Sequence, residues 1–141
     1  MAQPGANQAP AREPGFERDP DDGAQLIRAF LIADIRGYTL FTQERGDAAA
    51  AALAERFEEI AREYVEARGG SVVEVRGDEA LAVFSSSRQA MLAAVDLQLR
   101  FLDETRRHPD RPLPVGIGLD AGEAVPVRDG YRGGALNLAA R

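Results

Sequence analysis

The sequence of 141 residues contains no cysteine and a single histidine, His108. Without cysteine there is no disulfide bond, no thiolate nucleophile and no cysteine-ligated zinc site. One histidine argues against a histidine-cluster metal site and against a Ser-His-Asp triad. The apolar runs are far shorter than the ~20 residues that a membrane-spanning helix requires, and no stretch resembles a signal peptide. We therefore expect a soluble, cytoplasmic protein with no membrane partner.

Positive charge is in deficit, since 17 Lys and Arg residues face 23 Asp and Glu residues, a formal net charge of −6. An acidic protein is poorly suited to broad electrostatic binding of nucleic acid, so no nucleic-acid partner is expected. Binding of one nucleotide is compatible with this charge, because it needs only local donors and a cation. With 45% hydrophobic and 28% charged residues, the composition is that of one globular domain.

Residues 1–24 hold four of the eight prolines and almost no large apolar side chain. Such a segment buries too little surface to offset its ordering entropy, which predicts a disordered leader. The folded domain is expected over residues 25–141. Short apolar runs in it predict strands at 28–35, 72–75, 80–84 and 115–119, with a fifth near 123–127.

Two long helices are predicted between these strands from apolar residues at helical spacing. The first begins at Asp47 as its cap, and its inward face is expected to carry Leu53, Phe57, Ile60 and Tyr64. The second begins at the serines 85–87, and its inward face is expected to carry Leu92, Val95, Leu99 and Leu102. A third helix begins near the end, in ALNLAAR.

The order β-α-β-β-α-β is typical of the α+β class and of its split βαβ, ferredoxin-like (palm-like) sandwich. A right-handed crossover makes the first two strands parallel and leaves a gap between them, which the third strand fills. The end of the first strand then lies beside the turn between the second and third strands. Asp34 ends the first strand and Asp78 sits in that turn, so we expect the two carboxylates at one edge of the sheet.

Two close carboxylates without a histidine either share a proton or hold hard cations. Next to Asp34, the turn formed by residues 36–39 leads into a short helical turn that Thr39 is expected to cap, and the free N–H groups at a helix start bind anions. Metal-binding carboxylates beside a phosphate cradle suit two-metal phosphoryl or nucleotidyl transfer. Alternatively, Asp34 caps a helix and Asp78 only forms the turn, and spacing alone does not separate the two interpretations.

Four stretches occur in order over residues 28–141: FLIADIRGYTLFT, ARGGSVVEVRGDEALAVF, LPVGIGLDAGEAVP and YRGGALNLAAR. Together they resemble the class III adenylate/guanylate cyclase catalytic domain. The resemblance implies conversion of ATP or GTP into a 3′,5′-cyclic nucleotide and pyrophosphate. It also implies that Asp34, Asp78 and the main-chain carbonyl of Ile35 hold two Mg²⁺ or Mn²⁺ ions.

Further roles follow from the same resemblance. The triphosphate-binding turn matches Arg36, Gly37, Tyr38 and Thr39. Asn137 matches the residue that orients the ribose, and Arg141 matches the one that stabilises charge in the transition state. The alternative for Asn137 and Arg141 is a solvated helix face.

The positions that read the base depart from the adenylate cyclase pattern. Glu74 stands where adenylate cyclases usually carry Lys and guanylate cyclases commonly carry Glu, so it favours guanine. Gly130 stands where Asp usually reads adenine, and it offers no side chain. Glu74 is otherwise an exposed strand residue, and Asp129 is a substitute for Gly130 only after a register shift.

Members of this family work as head-to-tail homodimers, which implies that one subunit supplies the metal aspartates and the other supplies Glu74, Asn137 and Arg141. Family catalytic domains continue beyond the position of Arg141, so we expect a C-terminally truncated domain of a longer protein with further domains, and poor turnover by residues 1–141 alone. The alternative function is a catalytically weak or inactive regulatory module that binds nucleotide or dimerises. Residues 76–79 also partly match the loop of diguanylate cyclases, but that loop's first Gly and its Phe are absent.

Overall fold

A computed structural model describes residues 26–128 and 130–139, without the side chains of residues 137 and 138. Within these residues the chain forms five strands and four helices: β1 (Leu26–Ile35), α1 (Tyr38–Arg45), α2 (Asp47–Ala67), β2 (Ser71–Arg76), β3 (Glu79–Phe84), α3 (Ser87–Arg107), β4 (Val115–Val127), β5 (Gly130–Arg132) and α4 (Gly134–Ala139). The predicted β-α-β-β-α-β order is confirmed. The separate strand expected near 123–127 is wrong, because Gly122 pairs with Arg28 inside one continuous β4. The leader predicted at residues 1–24 lies outside the described residues.

The strands form an antiparallel sheet in the order β2-β3-β1-β4-β5. Strand β3 pairs antiparallel with both β1 and β2, so β1 and β2 run parallel on either side of it. This is the arrangement that a right-handed crossover followed by a hairpin produces. Strand β1 also pairs with β4 along its whole length, from Leu26 opposite Ala124 to Ile35 opposite Val115.

Alternation along β1 divides the core between the two faces of the sheet. Leu31, Ala33 and Ile35 face α2 and α3 and belong to the larger buried cluster. Phe30 lies on the opposite face, in a smaller cluster with Ala135 and Ala139 of α4. Since strand side chains alternate between faces, Asp34 shares the α4 face with Phe30.

The starts of the first two helices depart from the predicted caps. Helix α1 starts after Gly37 (φ 74°) and α2 after Gly46 (φ 87°), and neither N-cap has a side chain to donate or accept. Glycine tolerates these left-handed backbone angles, so the chain turns sharply there and Thr39 and Asp47 fall inside the helices. The cap among serines 85–87 is confirmed, because Ser86 accepts a hydrogen bond from the Gln89 backbone at 3.3 Å.

The inward face of α2 is as predicted, with Leu53, Phe57 and Ile60 buried. The prediction for α3 is wrong, because Val95 (50%), Leu99 (63%) and Leu102 (47%) are exposed. The buried side of α3 is instead formed by Ala90, Ala93, Ala94, Leu97, Phe101 and Glu104. Its alanines allow the helix to approach the sheet closely, so the stripe with Val95, Leu99 and Leu102 stays exposed to solvent.

A buried carboxylate joins α2 to α3. Glu104 is 3% exposed and accepts hydrogen bonds from Arg56 Nε (2.9 Å) and Nη2 (3.3 Å). Arg100 Nη2 lies 2.7 Å from Glu104 Oε2. The hydrogen bonds from Arg56 lower the pKa of Glu104 to about 2, with Arg100 helping and burial opposing. The pair therefore stays ionised in the interior at neutral pH.

Candidate active site at the end of strand β1

The end of β1 and the β2–β3 turn meet through a backbone hydrogen bond. The N–H of Ile35 donates to the carbonyl of Asp78 at 2.9 Å. This contact follows from the register, because Asp34 lies opposite Glu79 and the next residues are Ile35 and Asp78. Gly77 (φ 58°) makes the tight turn. The structure thus brings Asp34, Ile35 and Asp78 together.

The Asp34 carboxylate has a cationic neighbour in this structure. Arg36 Nε lies 3.4 Å from Asp34 Oδ1, and the Asp34 side chain is 40% exposed. The Arg36 guanidinium rests over Gly116 of β4, where any Cβ would overlap it. The side chain of Arg36 therefore turns back along the sheet toward Asp34, a contact that the sequence pattern did not indicate.

Glu79 is an acidic residue at this edge that the sequence analysis missed. It lies opposite Asp34 on β3 and lines the same cavity of about 200 Å³ as Asp34, Arg36, Gly116 and Gly118. Cross-strand partners share a face, but that Glu79 is the partner of Asp34 follows only from the register between β1 and β3.

Within residues 26–128 and 130–139, no three Asp, Glu or His side chains converge as a metal cage. Mg²⁺ is usually held by one or two carboxylates together with waters and substrate phosphates. Two partly exposed aspartates beside a main-chain carbonyl supply that kind of donor set. These residues therefore fit a divalent ion that a phosphate ligand also contacts.

The turn expected to bind phosphate is formed at the start of α1. Gly37 accepts the first helical hydrogen bond, from the N–H of Phe41 at 2.9 Å. The Tyr38 side chain points inward, because its hydroxyl donates to the carbonyl of Ala50 at 3.1 Å. Thr39 is exposed. Tyr38 therefore fixes α1 against α2, and the backbone of this turn, with the exposed side chains of Arg36 and Thr39, is open to a ligand.

The predicted base-reading residues lie on different strands. Glu74 is exposed on β2, and its carboxylate pairs with Arg76 on the same strand. Gly130 begins β5, at the other end of the strand order, with φ 145°. Asp129 lies outside the described residues. Arg76 is the polar neighbour of Glu74 that the sequence analysis did not consider.

The last two predicted residues are placed only in part. Asn137 belongs to α4, and its side chain is not described. Arg141 lies outside the described residues. In the part of the chain that the structure describes, none of the helices combines the length and the apolar character needed to cross a lipid bilayer.

An uncharacterized protein of Mycobacterium tuberculosis is 32% identical over 124 residues, which are 86% of this chain and 31% of that protein. An adenylate cyclase of Streptomyces coelicolor is 29% identical over 123 residues, again 86% of this chain and 31% of that protein. The chain thus spans about a third of the length of these relatives.

The structural likeness is to cyclase domains. The crystal structure of the guanylyl cyclase Cya2 superposes with a TM-score of 0.75 at 22% identity, covering 84% of this chain and 70% of that one. No protein-family model matches the chain. The fold of the described residues agrees with this comparison.

Proposed function

We propose that this chain, which has the fold of a guanylyl cyclase domain and is 29% identical to an adenylate cyclase over 123 residues, is a class III cyclase domain that converts ATP or GTP into a 3′,5′-cyclic nucleotide. In this reaction the ribose O3′ attacks the α-phosphorus, the bond to the β-phosphate bridging oxygen breaks, and pyrophosphate leaves. The observation that carries the proposal is the hydrogen bond from Ile35 to Asp78. It sets two partly exposed carboxylate-bearing residues side by side at the end of the central strand, which supports a binding site for the triphosphate there.

Asp34, Asp78 and the carbonyl of Ile35 would hold two Mg²⁺ or Mn²⁺ ions. Such ions supply Lewis acidity, which favours loss of the 3′-hydroxyl proton and neutralises phosphate charge. The chain's own contribution is to keep two acceptors fixed on a rigid strand end. Arg36, now beside Asp34, is a further positive group within reach of a phosphate at this edge.

The phosphate chain would lie along the turn of residues 36–39. The N–H groups at the start of α1 point toward the open end of the helix, and they favour anions. Gly37 makes the backbone approach possible, because its φ of 74° suits a residue without Cβ.

The base and ribose would be held by the other subunit of a head-to-tail homodimer. The partner subunit's Glu74 would accept hydrogen bonds from the base, opposite the small Gly130. The partner subunit's Asn137 would orient the ribose, and the partner subunit's Arg141 would stabilise charge on the reacting phosphate. Glu74 is exposed in the single chain, which leaves it available for such a contact.

The test is cyclic AMP and cyclic GMP formation by the full-length protein with Mn²⁺ and either nucleotide. Asp34→Asn and Asp78→Asn should each lower kcat/KM on the order of 100-fold or more, because each removes a charged acceptor at the reacting phosphates. Asp110→Asn is the matched control, an exposed aspartate in the loop before β4. Equal activity of all three variants would refute the proposed metal-binding role.

The missing side chain at Gly130 favours one alternative, a regulatory module that binds nucleotide or dimerises without turnover. That reading would be supported by nucleotide binding and dimer formation in the full-length protein with no cyclic product for either nucleotide. The same assays therefore separate the two functions.

A further inference from the structure

Glu74 and Arg76 form a polar pair on the face of the sheet that carries Asp34. They are two residues apart on β2, so their side chains share a face. Arg76 lies opposite Glu79, and Glu79 lies opposite Asp34. The three strands thus align these charged residues on one side of the sheet, opposite the larger core.

Glu74 and Arg76 are hydrogen-bonded to each other, and much of both side chains is exposed to solvent. Arg76 Nε donates to Glu74 Oε1, while 74% of the Arg76 side chain and 44% of the Glu74 side chain remain exposed. A guanidinium has five N–H donors and a carboxylate accepts about four hydrogen bonds. The contact uses Nε of Arg76 and Oε1 of Glu74, so among the described residues the two terminal amino groups of Arg76 and the second oxygen of Glu74 have no hydrogen-bond partner.

We infer that Arg76 is a second base-reading residue, which donates to the 6-oxo group of a guanine nucleotide while Glu74 accepts from the same base. This inference rests on the proposed function. The Watson–Crick edge of guanine presents an acceptor, O6, followed by two donors, N1–H and the 2-amino group. A carboxylate matches the two donors, and the neighbouring guanidinium matches O6.

Adenine fits the same pair less completely. Its edge offers one donor, the 6-amino group, and one acceptor, N1. Glu74 would then accept one hydrogen bond instead of two. Gly130 provides no side chain at the other expected reading position, so the donor for O6 has to come from elsewhere. Arg76 is the described cation that already contacts Glu74 and supplies this donor.

The contact with Glu74 alone gives Arg76 little structural importance. Exposed ion pairs contribute little to folding because solvent screens them and both side chains lose freedom. Replacing Arg76 should therefore leave the fold intact, which makes substitution a clean test of a ligand contact. Arg62 is a matched control, since it is exposed and pairs with Glu58 on α2, on the other side of the sheet.

The experiment compares GTP with 6-thio-GTP, which keeps N1–H and the 2-amino group but replaces O6 with a poor acceptor. In the full-length protein with Mn²⁺, Arg76→Ala should lower kcat/KM for GTP on the order of 10- to 100-fold and bring the GTP to 6-thio-GTP ratio close to one. Arg76→Lys should restore part of that ratio, while Arg62→Ala should leave it unchanged. Melting temperatures should be equal for the Arg76→Ala and Arg62→Ala variants.

Equal losses for GTP and 6-thio-GTP in Arg76→Ala would overturn the inference, as would an ATP preference in the wild type that Arg76→Ala removes. If the protein forms no cyclic product, the proposed function fails, and equilibrium binding of the two guanine nucleotides decides this inference separately. A GTP over 6-thio-GTP binding preference that disappears in Arg76→Ala supports it, and an unchanged preference refutes it.

Discussion

Replacing Glu104 with glutamine should make the free energy of unfolding depend less on pH below about 4.5. Glu104 is buried and ion-paired with Arg56 and Arg100, and hydrogen bonds from Arg56 lower its pKa from 4.5 to about 2. A carboxyl whose pKa is lowered by folding stabilises the folded state at pH values above its unfolded pKa. That stabilisation is lost as the pH falls from about 4.5 toward 2.

The size of the effect follows from the difference between the two pKa values of Glu104. They differ by 4.5 minus about 2, and each unit of pKa corresponds to about 1.36 kcal/mol of unfolding free energy. The upper bound is therefore about 3.4 kcal/mol. The Arg56 side chain is 39% exposed, so solvent screening reduces the expected contribution to about 2–3 kcal/mol.

Urea denaturation followed by circular dichroism, repeated between pH 7 and pH 2.5, measures this contribution. The unfolding free energy of Glu104→Gln should lie about 2–3 kcal/mol below that of the wild type at pH 7 and approach it near pH 2.5. Glu58→Gln is the control, because Glu58 makes an exposed pair with Arg62 and should follow the wild-type profile. If the Glu104→Gln profile runs parallel to that of the wild type across this range, the reasoning is wrong.

Other substitutions test the packing and the base-reading role. Gly118→Ala should lower the unfolding free energy by about 1–3 kcal/mol, because the added Cβ would overlap the carbonyl oxygen of Ala139. Gly134 has open space around it, so the control Gly134→Ala should change the urea midpoint of unfolding little. Leu97 is 0% exposed, so Leu97→Ala should lower the unfolding free energy by about 2–5 kcal/mol. Leu99 is 63% exposed, so Leu99→Ala should lower it by less than about 0.5 kcal/mol. Equal losses would contradict the observed orientation of α3. Glu74→Lys should lower the GTP to ATP ratio of kcat/KM, at the low end of roughly 5- to 150-fold; an unchanged ratio would mean that Glu74 does not touch the base.

The topology could be predicted from the sequence because few arrangements satisfy it. Once four strands and two crossing helices are recognised, handedness and hairpin geometry leave one strand order. The approach of Asp34 to Asp78 then follows without knowledge of any side-chain packing. The backbone hydrogen bond between Ile35 and Asp78 results from that strand order.

The orientation of α3 could not be predicted in the same way. Its sequence carries two apolar stripes at helical spacing, one with larger residues such as Leu99 and one with Ala93 and Leu97. Spacing alone favours the larger residues. The smaller residues face the sheet instead, because the space between a closely packed helix and sheet limits the side-chain volume that fits there.

The neighbours of the site residues were missed for a related reason. Arg36 reaches Asp34 only because Gly116, 80 positions later in the chain, leaves room for its guanidinium. Arg76 was within reach of sequence reasoning, since residues two apart on a strand share a face. Glu79 required the register between β1 and β3, which apolar patterns specify only after the pairing is known.

The full-length pairing of β1 with β4 has a consequence for how the protein is made. Residues of β1 meet their β3 partners 45–55 positions later and their β4 partners 80–98 positions later. Contacts so distant in sequence close slowly, since a long loop must be ordered first. During synthesis β1 emerges early, gains one neighbour with β3, and keeps its other edge open until residues 115–124 leave the ribosome. That interval exposes an apolar strand edge to other chains, so rapid translation through α3 shortens the time available for misassembly.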